Sequence, residues 1–244
     1  MAGRPQNLPR FDPQHLPVDR VDSHLPAVPA EVLALDALRQ RFLEPHPWQP
    51  EALVERRFVD REPAAASVLV PLVVRPCATR PHHALSVLLT QRTDSLSDHP
   101  GQVSFPGGRA EPSDADAVHT ALREAKEEIG LPFDCVEVLG RMPLYVTGTG
   151  FHVTPVVGLV HGLPTLRPDP REVADVFEVP LSFLMTPAHH RHHSVGEGDE
   201  RRSFLSMPWP AVAADAAVPP GTRYIWGATA GMLRNLYRFL VASA

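Results

Sequence analysis

The sequence predicts an α/β layered domain, on three observations. Short apolar runs rich in β-branched residues occur together with segments of helical periodicity, the two kinds are mixed along the chain rather than grouped, and no internal repeat is found. With 43% apolar and 21% charged residues over 244 positions, the chain can bury a sizeable core. Proline, at 28 residues, is roughly twice the average usage of about 5%. It clusters in the connecting stretches and so marks where elements end.

The elements follow in order. Residues 1–28 hold Pro5, Pro9, Pro13, Pro17 and Pro26 among Arg, Asp and His with no sustained period, which reads as an arm. From Pro29 to Leu43, Val32, Leu33, Leu35, Leu38 and Phe42 fall at roughly helical spacing, and Pro29 suits a first turn. This predicts an amphipathic helix packed on the main domain. Residues 44–63, with Pro45, Pro47 and Pro50 and then a charged stretch, read as a linker, giving an N-terminal part at 1–65 and a main domain at 66–244. Ser67 to Val74 and Ala84 to Thr90 read as buried strands. Asp116 to Ile129 carries Val118, Ala121, Leu122, Ala125 and Ile129 on one helical face, ends at Gly130, and follows a Ser113-x-x-Asp116 pair that resembles a capping box. Strands are expected at Val136 to Leu139, Phe151 to Val160 and Val173 to Val179, the last running through Pro180 into a helical turn at Leu181 to Leu184. A closing helix, Ala228 to Val241, turns Met232, Leu233, Leu236, Phe239 and Leu240 inward.

Charge narrows the function. The 28 acidic against 23 basic side chains, a net −5, with no long Lys/Arg run, leave no electrostatic footprint for nucleic acid or an anionic membrane. No apolar run approaches the ~18–20 residues that cross a bilayer, and the first residues lack the apolar stretch of a secretory signal. Cys77 and Cys135 make no disulfide framework and have no zinc spacing, so both read as small buried hydrophobes. A cytoplasmic protein acting on a small molecule is the expectation, with neither nucleic acid nor membrane as partner.

The chemistry concentrates in Phe105 to Leu131. Glu124, Glu127 and Glu128 stand at i, i+3 and i+4, so a helix projects all three carboxylates from one side, where like charges repel unless something positive sits among them. Clustered hard oxygen donors suit Mg²⁺ or Mn²⁺ rather than zinc. A solvated acidic face neutralised by Arg123 and Lys126 is the plain alternative. The context favours the metal: a strand-like Val103-Ser104-Phe105 and a Pro106-Gly107-Gly108 turn, which lets backbone come close to a ligand, lead into the helix.

These residues resemble the Nudix box, G-x5-E-x7-R-E-U-x-E-E-x-G-U with U aliphatic, through Gly108, Arg123, Glu124, Ala125, Glu127, Glu128, Gly130 and Leu131. The segment departs once: it is one residue longer between Gly108 and Arg123, and where the pattern has its leading Glu, Asp114 keeps the spacing from the glycine, with Asp116 as the nearby alternative. The coenzyme A diphosphatase branch of the family carries the same insertion. Leu88-Leu89-Thr90-Gln91-Arg92 through Gly101 to Phe105-Pro106-Gly107-Gly108 is similar to that branch's second signature at full spacing, with Thr93 and Ser97 as departures. Arg171-Glu172-Val173, Phe177 to Leu181 and Tyr224 to Ala230 extend the likeness, which covers about residues 66 to 242.

The resemblance implies a Nudix-type α/β/α sandwich with a mixed central sheet, preceded by the N-terminal arm and helix. It also implies Mg²⁺- or Mn²⁺-dependent hydrolysis of coenzyme A or its thioesters to 3′,5′-adenosine bisphosphate and 4′-phosphopantetheine. Glu124, Glu127 and Glu128, with the Gly108 carbonyl, become the expected metal ligands, Arg123 their orienting cation, and Glu172 or Glu178 an added acid. Gly107 and Gly108 line the substrate. Arg92 is the candidate phosphate contact, with a turn-pairing role as its alternative, and Arg191 is a second candidate. His189 to His193 otherwise read as a solvated loop rather than a metal site, and Trp226 as core. ADP-ribose or a dinucleotide as substrate, and a non-catalytic binding module, remain the alternatives; a homodimer is an expectation from family analogy.

Overall fold

The computed structural model describes residues 12–51, 62–75, 84–96, 100–198, 201–210, 212–214 and 216–242. Cys77, Ser97 and the first residues of the expected arm lie outside them. The main sheet is mixed. Strands β2 (Ala64–Arg75) and β8 (Phe151–Val160) run parallel down its middle, Ala64 opposite Phe151 through Val73 opposite Val160. Antiparallel β3 (Ala84–Arg92) and β9 (Val173–Pro180) extend one side and β6 (Val136–Arg141) closes the other, with β4 (Val103–Ser104) on β3, β5 (Gly107–Arg109) on β2 and β7 (Tyr145–Val146) on β8.

Side chains alternate between two cores, as the pleat requires. Leu69, Val73, Leu88, Val156 and Val160 meet Ala121, Ala125 and Ile129 of α2 (Ala117–Ile129) on one face. Val70, Leu72, Val87, Leu89, Val157 and Leu159 join a second cluster on the other face, which also takes in Leu233, Leu236 and Tyr237 of α4 (Gly227–Val241). Each fully buried aliphatic chain contributes about 1.5–3 kcal/mol, so these clusters fix the register that positions the site. The N-cap of α2 is Asp116, whose carboxylate accepts from the His119 N–H at 2.8 Å, rather than Ser113 as the sequence pattern suggested; Gly130, at φ 70°, ends the helix in the left-handed region.

A second, antiparallel sheet lies outside what the sequence predicted: β1 (Arg20–Val21), β10 (Arg191–Val195), β11 (Arg202–Trp209) and β12 (Arg223–Trp226). The expected histidine loop is therefore a strand. His190 and His193 are buried because each ring has partners: His193 meets the Pro17 carbonyl at 2.8 Å and Ser206 Oγ at 2.8 Å, and His190 meets Leu184 O at 2.7 Å and Arg234 Nη1 at 2.9 Å.

Residues 12–51 are built into this frame. Besides the β1 pairing, Asp22 is bonded by Arg234 at 2.9 Å and His192 at 2.7 Å, and Arg234 reaches Glu51 at 2.7 Å. Helix α1 (Leu35–Leu43) starts six residues later than expected, after turns at Pro29–Ala34. It packs as the sequence predicts: Arg39 grips Glu137 of β6 at 2.7 and 2.8 Å, and the ring of Phe42 lies 4.8 Å from that of Phe239 in α4. A short α3 (Leu181–Leu184) follows β9 as expected. Among the described residues no helix is long and apolar enough to cross a membrane.

Candidate active site

The turn Pro106-Gly107-Gly108 is pinned to the main sheet. Leu69 N–H bonds Pro106 O at 2.9 Å, and Gly107 and Gly108 stand opposite Val68 and Ser67 in the β2–β5 pairing. Both glycines are required by close approach. A Cβ at Gly107 would lie 2.6 Å from Val68 Cα, and one at Gly108 only 2.5 Å from Glu124 Cδ. The chain thus seats the Glu124 carboxylate of α2 directly against bare backbone.

Arg123 organises the helix face. Its Nε and Nη2 grip both oxygens of Asp114 at 2.9 and 3.0 Å, Nη2 also donates to Arg109 O at 2.9 Å, and Nη1 reaches Glu127 at 2.9 Å and Glu124 at 3.1 Å. Asp114 is half-buried, with its side chain 2% exposed, and accepts from Thr120 Oγ1, His119 Nδ1 and the Glu111 N–H, each at 2.9 Å. The Arg123 guanidinium, the largest influence, holds its carboxyl far below the usual carboxylate range. The residue that sequence comparison flagged as a departure is the anchor of the orienting arginine.

Glu128 is buried, and its carboxylate accepts the Gly107 N–H at 3.1 Å. Burial pushes its pKa up to about 8; the Gly107 bond and the Arg92 charge pull it down, while Glu124 and Glu172 push it up. Burial likewise raises Glu124, against the pull of Arg123. The structure therefore brings Glu124, Glu128, Arg92 and Glu172 within electrostatic reach of one another, with Glu127 joined through Arg123. A cluster of carboxylates, one of them strongly desolvated, beside a backbone turn with no room for a side chain fits a hard divalent cation, which supplies the missing positive charge.

Other candidates go elsewhere. Glu178 is ion-paired with Arg75. Arg191 is buried in β10 and donates to Val212 O in the second-sheet region. Trp226 is half-buried, edge-on to Phe204, and Cys135 is also half-buried. Asp22, Glu51 and His192 form a group whose ligand-type atoms lie within 4.8 Å of one another, but Arg234 already bonds both carboxylates there. That network ties the N-terminal segment to α4. Sequence reasoning missed it, since each bonded pair is separated by 170 residues or more and the members share no motif.

Known proteins resemble this chain over much of its length. A family model described as the NUDIX domain matches residues 70–197. Proteins of Yersinia pestis (strain Pestoides F) and Yersinia pseudotuberculosis (serotype O:1b, strain IP 31758), both described as an uncharacterized Nudix hydrolase NudL, are 37% identical over 199 residues, covering 80% of this chain and 89% of theirs. Among solved structures, the M. smegmatis Nudix hydrolase RenU aligns at 22% identity over 55% of this chain and 81% of its own, with a TM-score of 0.42. On the family match and the extent of identity, the chain belongs to the Nudix hydrolases, enzymes that act on phosphoanhydride bonds.

Proposed function

We propose that this Nudix hydrolase cleaves the diphosphate of coenzyme A or its thioesters, with Mg²⁺ or Mn²⁺, to 3′,5′-adenosine bisphosphate and 4′-phosphopantetheine. The observation that carries the reading is Arg92. It belongs to the upstream signature, its charge acts on Glu128, and its Nε is buried with no hydrogen-bond partner among the described residues. Buried guanidinium donors are rarely left open, and a phosphate oxygen of the substrate completes this one.

Glu124, Glu127, Glu128 and the Gly108 carbonyl would hold the cation, which supplies charge neutralisation on the phosphoryl oxygens. The protein's own groups do the rest. Arg123, fixed on Asp114, orients Glu124 and Glu127, and the Gly107 N–H orients Glu128. Arg92 binds the diphosphate. Glu172, exposed and held at its backbone by Thr93 N–H at 3.0 Å, is the base: it takes a proton from the attacking water as that oxygen bonds phosphorus and the bridging P–O bond breaks.

The test incubates purified protein and Mg²⁺ or Mn²⁺ with coenzyme A, acetyl coenzyme A, ADP-ribose, NADH and diadenosine polyphosphates, reading products by mass spectrometry beside a Glu128→Gln control. Release of 4′-phosphopantetheine that the control abolishes is the expected result. Turnover of ADP-ribose or a dinucleotide alone overturns the substrate assignment, and no turnover of any substrate points to a binding module.

A further inference from the structure

Beside β9 lies a cleft of about 440 Å³, lined by Leu88, Leu163, Leu166, Pro168, Ala174 and Val176 among others. That is the size range of small-ligand sites, roughly 300–1,000 Å³. The cleft is continuous in the chain with the catalytic end. Pro168 precedes Asp169, whose N–H bonds the Glu128 carbonyl at 2.8 Å, and Ala174 lies two residues beyond Glu172, whose charge reaches Glu124 and Glu128.

The lining selects a class of ligand. Its charged groups are the carboxylates of Asp175 and Glu178, already paired with Arg223 and Arg75, and no Lys or Arg lines it among the described residues. The two halves of a coenzyme A diphosphate differ sharply here: the adenosine half carries an extra phosphate, whereas the pantetheine arm is an uncharged chain with two amides. A cleft with no cation in its lining offers the extra phosphate no partner and accepts the uncharged arm. The outer edge of β9 adds a directional element. Its strand partner is β3 on the other edge, and no further strand pairs with it among the described residues; the Val176 N–H is turned onto the Asp175 carboxylate at 2.9 Å. Apart from that N–H, an edge with no strand partner accepts an extended amide chain as it would a peptide strand.

We propose that this cleft binds the pantetheine arm, and any acyl group on it, along the edge of β9, so that Leu166 and Ala174 set the specificity for the leaving half of the substrate. The inference rests on the coenzyme A reading above.

Ala174 is exposed on the edge strand, so Ala174→Trp in the full chain fills the cleft without disturbing the core. The expected result is a KM for coenzyme A raised about tenfold with kcat within about twofold, and a matching loss of 4′-phosphopantetheine affinity by titration calorimetry. Affinity for 3′,5′-adenosine bisphosphate stays unchanged. Leu166→Asp, which charges the lining, gives the same pattern independently. Unchanged KM and 4′-phosphopantetheine affinity in both variants, while the parent hydrolyses coenzyme A, overturns the cleft assignment alone; so does an equal loss of affinity for both products. A parent that leaves coenzyme A intact overturns the substrate reading and this inference with it.

Discussion

Arg123 and Asp114 face each other through two parallel hydrogen bonds, Nε to Oδ1 at 2.9 Å and Nη2 to Oδ2 at 3.0 Å, and this pair sets the orientation of the acidic helix face. The same guanidinium touches Glu124 and Glu127, so anything that lets it turn misplaces two carboxylates at once. Asp114→Asn replaces one acceptor oxygen with a donor facing a donor. The expected outcome is a kcat about 10- to 100-fold lower with little change in KM, the usual cost of losing a group that positions ligands rather than touching substrate. Steady-state kinetics check it, with a lowered melting temperature as the accompanying structural readout.

Glu128 gives the metal a thermodynamic signature. Its folded pKa, raised to about 8 chiefly by burial, exceeds the ordinary glutamate value of 4.5. The folded metal-free protein therefore holds a proton that the unfolded chain releases, a stabilising contribution complete below about 4.5 and lost as pH rises through about 8. A cation bound only by the folded form offsets that loss. Thermal melts with chelator and with Mg²⁺ should diverge as pH rises from 5 to 8, and Glu128→Gln should remove the divergence together with activity, by more than about a hundredfold.

His190 works in the opposite direction. Arg234 can only donate, so His190 Nδ1 accepts from it and Nε2 carries the proton given to Leu184 O; the ring is fixed as one neutral tautomer. Burial, the largest cause, lowers its pKa to about 4 from 6.5. The unfolded chain takes up the proton first, so the stabilisation is complete above about 6.5 and declines as pH falls towards 4, by on the order of 3 kcal/mol over the whole range. Denaturant melts between pH 7 and pH 4 should show this decline, and His190→Gln should flatten it. An equally steep decline in the variant would mean other groups carry it.

The candidate site was legible because it is local. One turn and one helix, with Arg123 to Glu128 inside two helical turns, hold most of the proposed site, and the continuous apolar, β-branched runs of β2, β3 and β8 declare a buried sheet. The second sheet was not legible for the converse reason. His190, His192 and His193 read as solvated because imidazoles are polar, yet their partners lie at Arg234, Asp22 and Pro17, up to 176 residues away in sequence. Burial of a polar run depends on long-range partners that local composition does not encode. Glu178 meets the same limit: its type suits a site, but its salt-bridge partner Arg75 stands on β2, across β3 from its own strand. Asp114 sat between the two cases, visible as a spacing anomaly before its contact with Arg123 explained it.

The two glycines of the turn make the last prediction, because what surrounds each differs in kind. The missing Cβ of Gly107 would strike Val68 Cα and the Ser67 carbonyl, backbone of a central strand that cannot retreat without breaking register. That of Gly108 would strike the carboxylate of Glu124, the end of a rotatable side chain. Gly107→Ala should therefore cost stability first, of order 1–3 kcal/mol as overpacking does. Gly108→Ala should leave the melting temperature within a few degrees and still lose activity, since Glu124 can clear the methyl group only by leaving its place on the site. Parallel melts and assays on the two variants separate the effects; equal loss of stability in both would show that the turn, and not the carboxylate seated on it, is what Gly108 protects.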